Sequence, residues 1–467
     1  MPPGSLLDFD TYIASLPAEL IDMIQSFCSH DDLLALSSVD KAAFATRFCN
    51  PRLQKFCFKT VKDTAQFLSY CQAVQDREAE ELILEEGKKS RKRLKPALSP
   101  DFTTRFLSFT REHLQAIKVL TLTLSAQFTA EQYNLLFAYL SGIQHLTIYS
   151  TRESHCALGV SLEAAQHLTL HSLAIFNTHD PNNRRGFNKI VDHLPNELWQ
   201  FTTLEALTIS SFKHIYSISE DIGQLNALKS LTLNRMYSLK ALPANFWQLN
   251  KLEALTLESL TSITELSEEI SQLGALKLLT LQEINLINTL PASLGRLDKL
   301  EALNLACLRS ITALPEEIGQ LNALKSLTLS GMSGLNALPE NLWQLNKLET
   351  LILGPLCIST PLEKISQLKA LNSLTLAGLH FITALPEEIG QLNALKSLEL
   401  NYLSKLKALP TSIGQLSKLE SLTLKDLRSI TALPEEMSQL KTLKVFKLVN
   451  MALGTLPGKL AQIVIRE

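Results

Sequence analysis

The sequence predicts an α/β fold: a curved parallel sheet, built as a solenoid of about eleven regular 24-residue repeats, behind a small all-helical domain. Three observations predict it. Leu204, Leu228, Leu252, Leu276, Leu300, Leu324, Leu348, Leu371, Leu395, Leu419 and Leu443 each open an LxxLxL phrase, with Ile209 and Phe446 as conservative exceptions. The step is 24 residues except for the 23 between Leu348 and Leu371. The phrase "ALPEEIGQLNALKSL" occurs at 313–327 and again, letter for letter, at 384–398. Residues 15–53, by contrast, carry the spacing of short amphipathic helices.

Composition bounds the rest. A chain of 467 residues is long enough for two or three globular units or one elongated array. With 46% hydrophobic but only 6% aromatic residues, its core is aliphatic. With a net charge of −2, nothing points to nucleic acid as a general partner, and none is expected. The seven cysteines are odd in number and show neither CxxC nor zinc-like spacing, which fits thiols in a reducing compartment. "MPPGSLLDFDTYIASLP" lacks the basic start and apolar run of a secretory leader. No stretch reaches the ~20 apolar residues of a membrane helix. The expected location is cytoplasm or nucleus, with no membrane contact.

At 11–55, Ser15 can cap a helix starting at Leu16-Pro17, with Leu20, Ile24, Phe27 and Cys28 on its apolar stripe. Asp31 can cap a second helix carrying Leu33, Leu36 and Val39, and "NP" at 50–51 ends a third. Residues 56–109 read as a helical and basic linker. Its run "KKSRKRLK" (88–95) is a solvated loop or a nuclear import signal. Residues 110–193 read as irregular repeats or an amino-terminal cap, from "IKVLTLTLS", "IQHLTIYS" and "HSLAIFN", with a loop at 177–192. Six of the ten histidines lie between 145 and 193. "HLTLHSL" alternates like a strand, which would set His167 and His171 about 13–14 Å apart, too far for one metal. No Ser/His/Asp arrangement, P-loop or glycine fingerprint appears, and Glu316 and Glu317 belong to repeated, solvent-facing turns. No catalytic residue, metal or cofactor is expected.

Residues 194–467 carry the regular repeats. LxL is a period-two strand with both leucines on one face, and LPxxIxxL places apolar residues three apart behind a proline, as a short helix or 3₁₀ segment does. One unit cannot enclose its own leucines, so it stacks on its copy. Each buried leucine contributes roughly 2 kcal/mol, which keeps those letters fixed. The residue after each opening leucine alternates in sign from Glu205 and Lys229 to Glu420 and Lys444, a pattern that in parallel register sets opposite charges side by side. Asn372 breaks it beside the 23-residue step, and "CISTPLEKI" lacks the usual leucine, so a local irregularity is expected at 356–366.

The letters between the leucines face the concave side. They include Thr232, Asn234, Thr256, Glu258, Thr280, Gln282, Thr328 and Glu399, with Asn401, Tyr402, Lys425 and Asp426 as a chemically distinct end. Free drift of exposed residues and a strand preference for threonine explain the same letters without a partner. A binding surface for a protein is the functional expectation.

The repeat resembles the leucine-rich-repeat family across about residues 194–460. That family usually carries asparagine or cysteine after LxLxx, where this chain has Met236, Leu260, Ile284 and their apolar equivalents. Apolar packing should therefore seal the turn, and its backbone groups must find other partners.

At the amino terminus, "LPAEL", Ile24, "DLLALSSVDK" and "NPRL" follow one another in an order that closely resembles the F-box. F-boxes dock on the Skp-type adaptor of cullin–RING ubiquitin ligases. The resemblance implies that Leu16, Pro17, Leu20, Ile21, Ile24, Leu33, Leu36 and Val39 supply that docking surface. An F-box before leucine-rich repeats is the layout of substrate receptors, and the near-identical internal copies resemble repeat proteins that intracellular bacteria deliver into the host cytosol. Bacterial leucine-rich-repeat ligases carry a separate domain with a nucleophilic cysteine, whereas Cys307 and Cys357 lie inside repeats and the chain stops at 467, with no room expected for that domain. The expectation is a non-enzymatic receptor holding an unidentified protein substrate. The alternative is a scaffold that sequesters a signalling protein without ubiquitin machinery.

Overall fold

Two leucines on one strand face and an isoleucine in the next turn leave each repeat open on both flanks, and stacking closes it. The computed structural model describes residues 81–84, 118–124, 130–150, 155–177, 193–359 and 362–466, apart from a few positions between 452 and 459. The segment 11–55, the basic run 88–95 and the loop 178–192 lie outside the described residues. The chain divides into two compact units, Met1–Lys189 with Pro195–Phe201, and Ile190–Leu194 with Thr202–Glu467.

In the first unit, β1 (Glu81–Leu84), β2 (Val119–Thr123), β3 (His145–Ser150) and β4 (Ser172–Asn177) pair in parallel, in chain order. Helices α1 (Ala130–Tyr139) and α2 (His155–Ala164) make the crossovers into β3 and β4 and pack on each other. Leu120, Leu146 and Leu173 share one rung and Leu122, Ile148 and Ile175 another, all buried. Strand β1 falls inside the stretch read as helix and linker. "ELIL" is too short an apolar run for periodicity to separate strand from helix.

The strand reading of "HLTLHSL" is corrected here. After α2 the chain turns, with Ala165 donating to the Ser161 carbonyl and Leu168 to that of Ala165, and β4 begins only at Ser172. These local bonds consume the donors that a ladder would need. His167 donates from Nε2 to the Phe137 carbonyl at 3.0 Å, tying the turn to α1. His171 lies instead beside His145, ring centroids 6.4 Å apart.

The second unit is the regular array. Twelve strands, from β5 (Ala206–Ser210) to β16 (Val464–Arg466), pair in parallel in chain order. Between consecutive strands from β5 to β15 (Val445–Val449) lies one five-residue 3₁₀ turn, the first at Glu220–Gln224 and the last at Glu435–Gln439. Register is exact by repeat: Leu303, Leu327 and Leu351 form one rung and Leu305, Leu329 and Leu353 the next. All six are fully buried.

The missing asparagine is replaced by main chain. The residue before the apolar slot takes a left-handed conformation in every repeat but the irregular one, where Pro355 precedes Leu356, as at Arg235 (φ 54°), Cys307 (φ 55°), Tyr402 (φ 55°) and Asp426 (φ 53°). Its N–H then reaches the next repeat: Arg235 donates to the Glu258 carbonyl at 3.0 Å and Tyr402 to that of Lys425 at 2.9 Å. The ladder thus gains one rung, and Met236, Leu260 and Ile284 are fully buried beneath it. The irregularity expected at 356–366 is present. Strand β11 (Thr350–Leu353) is one residue short, and the turn Glu363–Gln367 is entered through Leu362 at ψ 33° rather than an extended proline or serine.

The turns are joined by carboxylates. Glu220, Glu268, Glu316 and Glu387, each opening a turn, accept from the first two backbone N–H groups of the following turn. Glu387 bonds Ser412 N at 2.8 Å and Thr411 N at 3.2 Å. So Glu316, expected merely to face solvent, caps a neighbour. A small residue at the fourth turn position permits the approach, Ser271 after Glu268 and glycine after the other three: a Cβ at Gly319 would lie 2.2 Å from the Asn341 carbonyl oxygen. Trp247 and Trp343 occupy that fourth position elsewhere, both buried, and there the following turn packs far less closely. Bulk at one position therefore sets the spacing between turns.

A pH effect follows. The backbone N–H of Ser412 holds the Glu387 carboxyl below its ordinary value, and that of Ser293 does the same for Glu268. A group lowered on folding stabilises the native state above its unfolded pKa, near ~4.3, and loses that contribution as pH falls through the folded value. Glu387→Ala is expected to cost about 1 kcal/mol at neutral pH, as lost helix caps do. In urea unfolding, the gap between variant and parent should close in acid. A gap of the same size in acid would show that the charge plays no part.

Candidate partner-binding surface

Alternation along each strand decides which letters are offered outward. In β6 (Ser230–Asn234), β7 (Ala254–Glu258) and β8 (Leu278–Gln282) the second and fourth residues, all leucine, are buried while Thr232, Asn234, Thr256, Glu258, Thr280 and Gln282 are half-exposed. Pairing sets Thr232, Thr256 and Thr280 side by side, and Asn234, Glu258 and Gln282 in a second row. The threonine row continues through Asn304 and Thr328, with Asn304 donating to the Thr280 hydroxyl at 3.3 Å. Further along, Glu399 follows Thr375 in the same row. Sequence periodicity was enough to find this face.

The row beside it is charged. Lys229 lies 2.9 Å from Glu205, Lys277 2.8 Å from Glu253, Lys325 2.8 Å from Glu301 and Lys444 2.6 Å from Glu420. A hydrogen bond from Lys277 and its charge hold Glu253 below the ordinary carboxyl value, and Glu253 raises Lys277 in return. All these groups are well exposed, so the pairs fix register more than they stabilise. Where Asn372 interrupts the alternation, its amide meets Glu349 at 3.5 Å.

At the chemically distinct end the structure gathers the expected residues but presents them unequally. Asn401 is nearly buried and donates to Glu399 Oε1 at 2.7 Å, while its own Oδ1 is buried without a partner. Asp426 is also buried, facing Asn450 Nδ2 at 3.4 Å and Arg428 at 3.7 Å. Tyr402 is exposed, and Lys425 sits 5.3 Å from its ring centroid. Hydrogen bonding to Tyr402 heads the causes that raise the Lys425 pKa, with Asp426 and Glu399 adding to it. Asn401 and Asp426 support this end; Tyr402 and Lys425 are what a partner would meet.

Sequence reasoning missed Phe381, half-exposed with Lys405 5.0 Å from its ring. The signal was available: an aromatic at a loop position held by polar residues in most repeats. The docking residues expected at Leu16, Pro17, Leu20, Ile21, Ile24, Leu33, Leu36 and Val39 lie outside the described residues. Among the described residues no group of three or more His, Cys, Asp or Glu could hold a metal, and no helix is long and apolar enough to cross a membrane.

No protein-family model matches the chain, and no curated protein does. Solved structures do. A leucine-rich-repeat protein of Leptospira interrogans is similar over 89% of this chain and 94% of its own, at 24% identity and a TM-score of 0.53. The TLR13–ssRNA13 complex matches 81% of this chain and 59% of its own chain, at 20% identity and a TM-score of 0.53. An internalin, InlF of Listeria monocytogenes, covers 78% of this chain and 92% of its own, at 15% identity and a TM-score of 0.49. Strand register, the 3₁₀ turns and the likeness to the Leptospira protein agree: the fold is a leucine-rich-repeat solenoid.

Proposed function

We propose that the protein is a non-enzymatic substrate receptor. Its segment 11–55 docks on the Skp-type adaptor of a cullin–RING ubiquitin ligase, and the open face of its solenoid holds the protein to be modified. One observation carries the partner-binding half. In two phrases of fifteen identical residues, the first letters to differ are Thr328 and Glu399, which lie on the open face, while the leucines beneath are unchanged. The scaffold is held constant and the outward chemistry varies, as a recognition surface requires. The resemblance of Leu16–Pro17, "DLLALSSVDK" and "NPRL" to the F-box supports the ubiquitin half, and the likeness to internal copies in bacterial repeat proteins supports delivery into a host cytosol. Catalysis would come from proximity, supplied by other subunits.

The test is co-purification of the full chain with the Skp-type adaptor. Capture is expected, with complete loss on Leu16→Ala with Pro17→Ala and no change in the melting of the array. Deleting residues 1–60 should leave target binding intact and end target ubiquitination with purified components. Equal adaptor capture by parent and double variant would instead favour the sequestering scaffold.

A further inference from the structure

Among the described residues few aromatic side chains are exposed, and their placement is not scattered. These are Tyr216, Tyr237, Phe381 and Tyr402, and all four lie in the segments that lead from the carboxyl end of a strand to the next turn. Each has a lysine over its ring. Lys240 is 5.9 Å from Tyr216, Lys213 5.9 Å from Tyr237, Lys405 5.0 Å from Phe381 and Lys425 5.3 Å from Tyr402. The pairs reach from one repeat to the next, so neighbouring repeats jointly build an apolar platform crowned by ammonium groups.

The cluster around Phe381 and Tyr402 is the more complete. Its residues come from three consecutive repeats, with Phe381 and Tyr402 half-exposed and the 81% exposed Arg428 side chain of the third repeat lying 3.7 Å from Asp426. Two carboxylates lie nearby, Glu399 bonded to Asn401 and Asp426 buried against Asn450 and Arg428, and both act on Lys425; against Lys405, Lys425 and Arg428 they leave this end with an excess of positive charge. A lysine lying along an aromatic face keeps N–H donors for a second anion, with its stem already ordered. The rings offer large contact area at small entropic cost, the usual character of binding anchors.

We propose that this cluster at the strand ends, Phe381, Tyr402, Lys405 and Lys425, docks an acidic segment of the protein partner, one with an apolar side chain beside its carboxylates. The inference rests on the reading of the open face as the partner side, because Lys425 ends a strand on that face, and it is independent of the ubiquitin ligase. Charge and extent favour a peptide over nucleic acid. The chain's net charge is −2, and three repeats span only about 10 Å of cationic surface. A polyanion bound mainly through its phosphates needs a longer basic stripe.

The experiment uses the full chain and a labelled twelve-residue peptide of glutamate and leucine. A lysine–leucine peptide, a single-stranded RNA and phosphatidylserine vesicles serve as comparison probes. The acidic peptide is expected to bind in a salt-sensitive manner. Lys405→Glu with Lys425→Glu, and separately Phe381→Ser with Tyr402→Ser, should each weaken it by about tenfold or more, as loss of an anchor does. Lys251→Glu, an exposed control, should leave it unchanged. The milder Lys405→Gln with Lys425→Gln pair guards against misfolding and should weaken binding in the same direction at an unaltered Tm. Equal binding by all variants, or tighter binding of RNA or vesicles through the same residues, overturns the proposal. The same variants should retain the adaptor. Lost adaptor capture with intact peptide binding would strike only the ubiquitin reading.

Discussion

Truncating Leu327 to alanine is expected to destabilise the array by about 2–5 kcal/mol. The side chain is fully buried in the rung between Leu303 and Leu351, and stacked strands on both flanks cannot collapse inward to fill the space. Its neighbour Thr328, half-exposed, should accept glutamate at a cost within ~0.5 kcal/mol. The reciprocal change is not symmetric. Glu399→Thr removes the acceptor of nearly buried Asn401, so it should cost about 1–2 kcal/mol. Chemical unfolding of the three variants checks this order. A large loss from Thr328→Glu with a small one from Leu327→Ala would invert the strand faces.

The second large effect is expected at a glycine. A Cβ at Gly390 would lie 2.4 Å from the Ser412 carbonyl oxygen and 2.6 Å from its Cβ. The main-chain oxygen cannot swing aside as a flexible side chain would, and Glu387 holds the Ser412 turn close. Gly390→Ala should therefore cost about 3 kcal/mol or more, the upper range for overpacking. Gly274 is the matched control, since nothing lies within 4 Å of a Cβ there and alanine should be neutral or mildly stabilising. Equal melting of the two variants would mean that the turns separate without cost, and that the carboxylate clamps do little.

The parts of this fold that were legible in the sequence are those whose partners repeat with the chain's own period. Leu327 finds Leu303 and Leu351 because all three occupy one phase of a 24-residue cycle, and the Glu301–Lys325 contact is readable for the same reason. Glu387 was not legible, because its partners are backbone N–H groups that carry no letter. His167 and His171 were misread for a related reason: alternating letters fit a strand, but the Ala165 and Leu168 donors were already committed to the turn after α2. At the candidate site, Tyr402 and Lys425 could be picked out as unusual letters. Only the structure shows that Asn401 and Asp426 are turned inward and that Phe381 and Lys405 complete the platform.

The carboxylate clamp also says something about how such a chain can lengthen. Glu316 accepts from main chain in the repeat ahead and Glu387 from main chain and the Thr411 hydroxyl, while Gly319 and Gly390 make room for main chain and the Cβ that nearly every residue carries. Their successors differ, "ENLWQ" in one case and "TSIGQ" in the other, yet both are received in the same way. A phrase whose shared contacts with its successor are to backbone and Cβ can be inserted ahead of many different repeats without a misfit. Trp247 and Trp343 lack that generality, since their bulk dictates where the next turn lies. Inheritance by whole-phrase copying would thus favour the glutamate–glycine phrase, which is the one this chain spells twice, and would leave the outward letters free to diverge.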